Sequence, residues 1–241
     1  MNGEQRLVEV ADGEHGQSMI DPPYDYPDYV GTRLRGPKQP LVLLPASLSE
    51  LTGPVYGDAA IGEFDNDLTR QHAGEPLGER IVVTGRVLGS DGKPLRGQLV
   101  EIWQANAAGR YLHEVDQHPA PLDPSFSGAG RCVTDDDGWY RFTTIKPGSY
   151  PWKNHPNAWR PNHIHFSLFG RAFPERLVTQ MYFPGDPLFL YDPIFNSIRD
   201  ENSRKRLISA FDLDVTEPEW ARGFRWDIVV GGRYGTPPDV D

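Results

Sequence analysis

Hydrophobic and polar positions alternate in short runs through the second two-thirds of the chain. The run ERIVVTGRVL (79–88) is alternating and β-branched, and QLVEIWQA (98–105) repeats the pattern after the turn segment GSDGKPLRG (89–97). The second run sets Val100 and Ile102 on one face, with Gln104 a third candidate for it. The segments DDDGWYRFTTI (135–145), NHIHFSLFG (162–170), RLVTQMYF (176–183) and RWDIVVGG (225–232) extend the series to at least six strands. Strands divided by turns, without interleaved helices, predict an all-β fold: an antiparallel β-sandwich with long loops and few short helices. The one helical pattern in this region is ENSRKRLISAF (201–211).

The first 40 residues read differently. DPPYDYPDYVG (21–31) is interrupted by Pro22, Pro23 and Pro27, which excludes both a helix and a central strand. Tyr24, Tyr26 and Tyr29 argue for an extended arm packed on a partner surface, with a disordered leader as the plain alternative for residues 1–18. Ser47, followed three residues later by Glu50, predicts a short helix over Ser47–Thr52 that ends at Gly53-Pro54; residues 57–78 look irregular. The expected organisation is an N-terminal arm with a short helix over 1–78, packed on partner or core, and a sandwich domain over 79–241.

Composition narrows the function. The 241 residues suffice for one sizeable core, or for a core and a long arm. The 25 glycines and 23 prolines suit a turn-rich β fold and stay below the ~25–30% share typical of disordered chains. A net charge of −10 disfavours nucleic acid and anionic membrane surfaces, and it would repel an anionic substrate at long range, so local arginines must offset that field. Cys132 is the single cysteine, which leaves no internal disulfide and points to the cytoplasm. The N-terminal residues lack a signal-peptide pattern, and no run of ~18 apolar residues exists to span a membrane.

The chemistry starts at His163 and His165 in RPNHIHF. On a strand, residues two apart share a face, with Cα atoms about 6.6 Å apart, close enough for both imidazoles to reach one metal. The same pattern serves zinc hydrolases and cupins, and it also occurs as an ordinary pair of surface or core histidines. A facial-triad iron site would add a carboxylate, and none lies within two residues of the pair on this strand. Tyr111 in WQANAAGRYLHE and Tyr150 in IKPGSYPWKNHP each follow a glycine-containing turn. By composition each is a packing tyrosine. The Asp135–Gly138 run lacks the alternating spacing of a calcium loop and reads as a turn. Trp103 reads as core packing, and His113, His118 and His155 are left as neighbouring or exposed histidines.

The segments LVEIWQANAAGRY, APLDPSFSGAGRCVTDDDGWYRFTTIKPGSYPW, AWRPNHIHFSLFG and RLVTQMYFPGDPL, with LPASLSELTGP and GERIVVTGRV upstream, resemble the intradiol ring-cleavage dioxygenases, in particular the two-chain branch that acts on protocatechuate (3,4-dihydroxybenzoate). The resemblance covers roughly residues 29–231. It implies a non-haem Fe(III) held by Tyr111, Tyr150, His163 and His165, with Tyr150 the axial tyrosine that leaves and acts as a base, Tyr111 the tyrosine that stays, His163 axial and His165 equatorial. A hard ferric ion favours anionic oxygen, and two phenolates with one hydroxide neutralise its charge. The implied reaction inserts O2 between the two hydroxyl-bearing carbons and yields 3-carboxy-cis,cis-muconate. By the same resemblance Arg160 stabilises oxyanion character and Gln180 orients substrate or O2. Trp152 and Ile194 wall an aromatic slot, Tyr29 approaches the ring carboxylate, and a homologous α subunit completes the pocket. Two other readings stay open: an intradiol dioxygenase for catechol or hydroxyquinol, whose helical N-terminal region this proline-rich arm does not match, and a metal-free β-sandwich binding or assembly module.

Overall fold

The computed structural model describes residues 20–36, 38–39, 61–170 and 176–239. The expected leader over 1–18 and the helix over Ser47–Thr52 lie outside the described residues. Eleven strands follow one another in this described part: β1 Arg80–Gly89, β2 Leu99–Trp103, β3 Ala129–Val133, β4 Trp139–Ile145, β5 Tyr150–Pro151, β6 Trp159–Arg160, β7 His163–Phe169, β8 Leu177–Tyr182, β9 Ala210–Phe211, β10 Arg222–Arg225 and β11 Ile228–Val230. The helices are single turns at Thr32–Arg35, Pro193–Ser197 and Glu201–Lys205, with a 3-10 turn at Pro187–Tyr191. Residues 61–78 and 21–31 form neither strand nor α-helix.

Two sheets face each other across one core. The first has the order β11-β1-β10-β9, with β4 also on β1; the second is β3-β2-β7-β8; β5 and β6 form a separate hairpin. The expected β-sandwich is the observed architecture. Its pairings are antiparallel except where β1 takes both β10 and β11 as parallel neighbours. The join between those two partners sits at Gly85, where an added Cβ would overlap the Trp226 carbonyl oxygen. Trp226 N–H donates to Thr84 O at 2.9 Å and Arg86 N–H to Asp227 Oδ1 at 2.8 Å, so the backbone crosses over Gly85 and re-forms the ladder beyond it. This crossing divides the expected strand 225–232, leaving Arg225 in β10 and only Ile228–Val230 in β11.

The helix expected over 201–211 stops at Lys205. Asp200 caps its start by accepting Ser203 N–H at 2.7 Å. Its end gives way to tertiary pairing: Tyr182 N–H donates to Leu207 O at 2.8 Å and Ser209 N–H to Tyr182 O at 2.9 Å, which lays the chain along β8 instead of continuing the helix.

Strand alternation decides which residues fill the core. On β7, Ile164, Phe166 and Leu168 point inward and join Ile81, Val83, Val100, Ile102, Phe142 and Met181. Phe166 sits at the centre, edge-on to Tyr140 at 5.7 Å, Phe142 at 6.3 Å and Trp226 at 4.9 Å. Removing its fully buried ring leaves a cavity between both sheets. Phe166→Ala is expected to destabilise the folded protein by about 3–5 kcal/mol and Ile164→Val by about 0.5–1.5 kcal/mol, measured by chemical denaturation.

Candidate metal centre

The other face of β7 carries the candidate site. His163 and His165 alternate with the core residues, and both are buried. Strand register places Trp103, His165 and Gln180 in one row across β2, β7 and β8, and puts His163 opposite Tyr182. Trp103 therefore does not pack in the core as its composition suggests. It lies on the outer face of the sheet, stacked on the His165 ring at 4.8 Å with the planes 5° apart.

Two loops bring the tyrosines to this face. Asn106 closes the turn before Tyr111: its side-chain oxygen accepts Ala108 N–H at 2.9 Å and Arg110 N–H at 3.0 Å. Gly109, at φ +77°, lies so close to Ser149 that a Cβ would strike its carbonyl. Gly148 N–H donates to Asn106 O at 2.9 Å, so the two tyrosine-bearing segments are laced to each other before either meets the histidines. Tyr111 N–H is held by Asp116 Oδ2 at 2.8 Å. Tyr150 lies on β5, paired with Arg160 on β6.

The result is a convergence of four rings. Tyr111 Oη lies 3.5 Å and Tyr150 Oη 3.4 Å from His163 Nε2. The two imidazoles are 4.9 Å apart between centroids and nearly perpendicular, and the two phenol rings are 5.4 Å apart. His163 Nδ1–H donates to Pro161 O at 2.6 Å, which leaves the Nε2 lone pair facing the phenol oxygens. Burial, reinforced by Arg160 and His165, pushes the His163 ring well below the usual imidazole range, which keeps it neutral. Among the described residues no group of three or more His, Cys, Asp or Glu could hold a metal, so a metal at this place would need the tyrosines.

A buried polar network stands behind the four rings. Arg160, expected by composition alone to be a loop residue, is 2% exposed. Its Nε lies 3.3 Å from the Asp192 carboxylate, and its Nη2 donates to Gln180 Oε1 and, at 3.2 Å, to Tyr182 Oη. Tyr182 Oη donates to Gln180 Oε1 at 2.9 Å. Burial pushes the Asp192 carboxyl up, although Arg160 and the Ile194 N–H oppose the shift. Gln180 Nε2 donates in turn to Asp239 Oδ2. Burial pushes the Asp239 carboxyl up too, but His165, Gln180 and Arg160 outweigh it and hold it below the usual carboxylate range.

The remaining candidates surround this network. The Arg160 guanidinium lies 5.5 Å over the Trp152 ring, and Tyr29 meets Trp152 edge-on at 5.2 Å. The arm is fastened there by Asn154, whose side chain accepts Val30 N–H at 2.9 Å and donates to Asp28 O at 2.7 Å. Ile194 follows the Asp192 cap and is 6% exposed, beside Gln180, Tyr182 and the C-terminal Pro237–Asp239. His113 and His155 close exposed local turns by accepting the N–H of Val115 and Asn157. Sequence reasoning missed Asp192, Tyr182 and Asp239. Tyr182 was within reach, because it alternates with Gln180 on β8; Asp192 is visible only as a cap before Pro193, and Asp239 carries no pattern at all.

Comparison with known proteins supplies the family. A family model described as "Dioxygenase" matches residues 51–232, and one described as "Protocatechuate 3,4-dioxygenase beta subunit N terminal" matches residues 21–47. The chain is 63% identical over 218 residues to a protocatechuate 3,4-dioxygenase beta chain of Burkholderia cepacia, covering 90% of this chain and 92% of that one. It is 30% identical over 206 residues to a protocatechuate 3,4-dioxygenase alpha chain of Pseudomonas putida, covering 82% and 97%. The crystal structure of 3-chlorocatechol 1,2-dioxygenase from Rhodococcus opacus 1CP superposes with a TM-score of 0.55 at 25% identity, covering 76% of this chain and 72% of that one. With the sandwich, the paired tyrosine loops and the histidine strand already in place, these matches show that the chain belongs to the intradiol ring-cleavage dioxygenase family.

Proposed function

We propose that this chain is the metal-bearing subunit of an enzyme that cleaves protocatechuate with O2 between its two hydroxylated carbons, giving 3-carboxy-cis,cis-muconate. One observation carries the reading: two phenol oxygens from separate loops meet a neutral imidazole nitrogen at 3.4–3.5 Å, in a chain 63% identical to a protocatechuate 3,4-dioxygenase beta chain. Two ligands bonded to one metal at about 2.1 Å and 90–120° apart stand about 3.0–3.6 Å from each other, so the spacing fits a shared coordination sphere. Tyr111, Tyr150, His163 and His165 would hold the non-haem Fe(III) that suits this family. A phenol with a free pKa of ~10 gives up its proton to such an ion, and two phenolates offset much of its charge. When bound, the iron would activate the substrate's catecholate toward O2.

The protein groups then divide the work. Tyr150 Oη accepts a proton from a substrate hydroxyl, while Tyr111 keeps its place, anchored by Asp116. Arg160 presents a guanidinium whose position is fixed by Asp192, Gln180 and Tyr182, and so stabilises negative charge on the ring oxygens as the bond breaks. Gln180 orients the substrate or O2. Trp152 and Ile194 line the slot. Tyr29, seated against Trp152, lies where the arm can meet the ring carboxylate. On this reading the segment 1–78 serves recognition, through Tyr29, and 79–241 is the catalytic unit. Its match to the beta-subunit N-terminal model favours protocatechuate over catechol.

We infer that the working form is a hetero-oligomer with a homologous α chain, in line with relatives named as alpha and beta chains, both similar to this one. Among the described residues no helix is long and apolar enough to cross a membrane. A chain with one cysteine, Cys132, buried and pushed up to about 12 by that burial, suits the reducing cytoplasm.

The ligand set is tested by metal analysis and visible spectra of purified variants. His163→Ala and His165→Ala are expected to retain less than about a tenth of the wild-type iron, and Tyr111→Phe to lose most of the tyrosinate-to-iron band. A colourless wild-type protein with full iron occupancy contradicts the assignment. The substrate is tested by steady-state kinetics of the α/β complex: kcat/KM for protocatechuate should exceed that for catechol by about 10²-fold or more, and a preference for catechol contradicts it. Arg160→Lys, which cannot keep the planar multi-point contacts, should lower kcat by about 10²–10³-fold with iron content unchanged.

A further inference from the structure

The C-terminal residues reach the candidate centre from behind. Pro237–Asp239 run beside β8, where Thr179 Oγ1 donates to Pro237 O at 2.7 Å and Asp239 N–H donates to Val178 O at 2.7 Å. These bonds lay the buried Asp239 carboxylate between two residues of the site. Oδ2 accepts from Gln180 Nε2 and stands 3.6 Å from His165 Nδ1, just beyond hydrogen-bond length. Neither His165 Nδ1 nor Asp239 Oδ1 has a hydrogen-bond partner among the described residues. A buried ring nitrogen without a hydrogen-bond partner is costly unless it engages an acceptor, and the carboxylate beside it, with one oxygen on Gln180 and the other unpartnered, has acceptor capacity to spare. A metal bonded to His165 Nε2 would leave the ring proton on Nδ1, facing that carboxylate.

We propose that Asp239 is a positioning residue: its carboxylate accepts the Nδ1–H of His165, fixes that ring with its lone pair on Nε2, and makes the C-terminal tail a determinant of metal retention. The proposal rests on the ligand set given above. It also separates the two histidines chemically. His163 donates to a neutral carbonyl, that of Pro161, whereas His165 would donate to a carboxylate, which makes its ring the more basic ligand. Because main-chain bonds and the Pro237 carbonyl hold the tail, the Asp239 side chain can be changed without releasing it.

The test uses the iron-loaded α/β complex carrying Asp239→Asn or Asp239→Ala. Iron release into excess chelator is followed at the visible band, and the melting temperature of the iron-free complex is measured alongside. The expected result is release about 10–100-fold faster than wild type and a displaced band maximum, with the iron-free melting temperature unchanged. Wild-type release rates and a wild-type spectrum in both variants overturn the proposal, as does a lower iron-free melting temperature with an unmoved band, which marks a purely structural role. A wild-type complex whose bound iron gives no tyrosinate band overturns the ligand set and this role together; a normal wild type beside unaltered variants overturns the Asp239 role alone.

Discussion

The two-residue repeat of β7 ties the site to the core. Ile164, Phe166 and Leu168 cannot fill the space between the sheets without turning His163 and His165 to the outer face. A slip of one residue would bury both imidazoles among aromatic rings and expose the phenylalanine at the centre. The hydrophobic core therefore holds the register of the histidines, and the face that carries them inherits the rigidity of the sandwich. Loops are easily moved, but here the two that carry tyrosines are bound to each other at Gly148 and Asn106, so they meet the strand as one unit.

Behind the rings, charge is arranged for position more than for stability. Arg160 and Asp192 form a fully buried pair, and such pairs gain little net stability over apolar packing, whereas removal of one partner costs about 3–5 kcal/mol. What the pair supplies is a guanidinium that cannot wander. Asp192 also caps the helix that carries Ile194, so a single carboxylate sets both the Arg160 guanidinium and the start of that helix. Gln180 passes the network on to Asp239, whose carboxylate stands 3.6 Å from His165 Nδ1. The overall charge of −10 disfavours an anionic substrate from afar. Recognition of a carboxylate has to be local, which suits an arm whose Tyr29 is seated against Trp152.

Much of this was legible in the amino-acid sequence, for physical reasons that differ by residue. The strands containing Val83, Ile102, Phe142 and Phe166 announce themselves by alternation, because each buries one face. His163 and His165 were visible as a same-face pair. Tyr111 and Tyr150 were not legible from spacing, since a turn followed by a tyrosine is ordinary; only the family resemblance singled them out. The contacts that hold the site together were hidden because they are non-local. The pairing of Tyr182 with Leu207 and Ser209 overrode a helical pattern, the crossing at Gly85 split a strand, and the tail was brought back to β8 through Asp239 and Val178. Trp103 was misread for a related reason: its strand pattern shows alternation but not which face a neighbouring histidine will share.

Sharing of one ferric ion by two phenolates and two imidazoles is the arrangement on which the proposed chemistry depends. The most direct measurement is a crystal structure of the iron-loaded α/β complex with anomalous data collected at the iron absorption edge. One strong peak per chain of this type is expected, within about 2.3 Å of Tyr111 Oη, Tyr150 Oη, His163 Nε2 and His165 Nε2. A peak elsewhere, or one that leaves either phenol oxygen beyond bonding reach in the substrate-free enzyme, would contradict it.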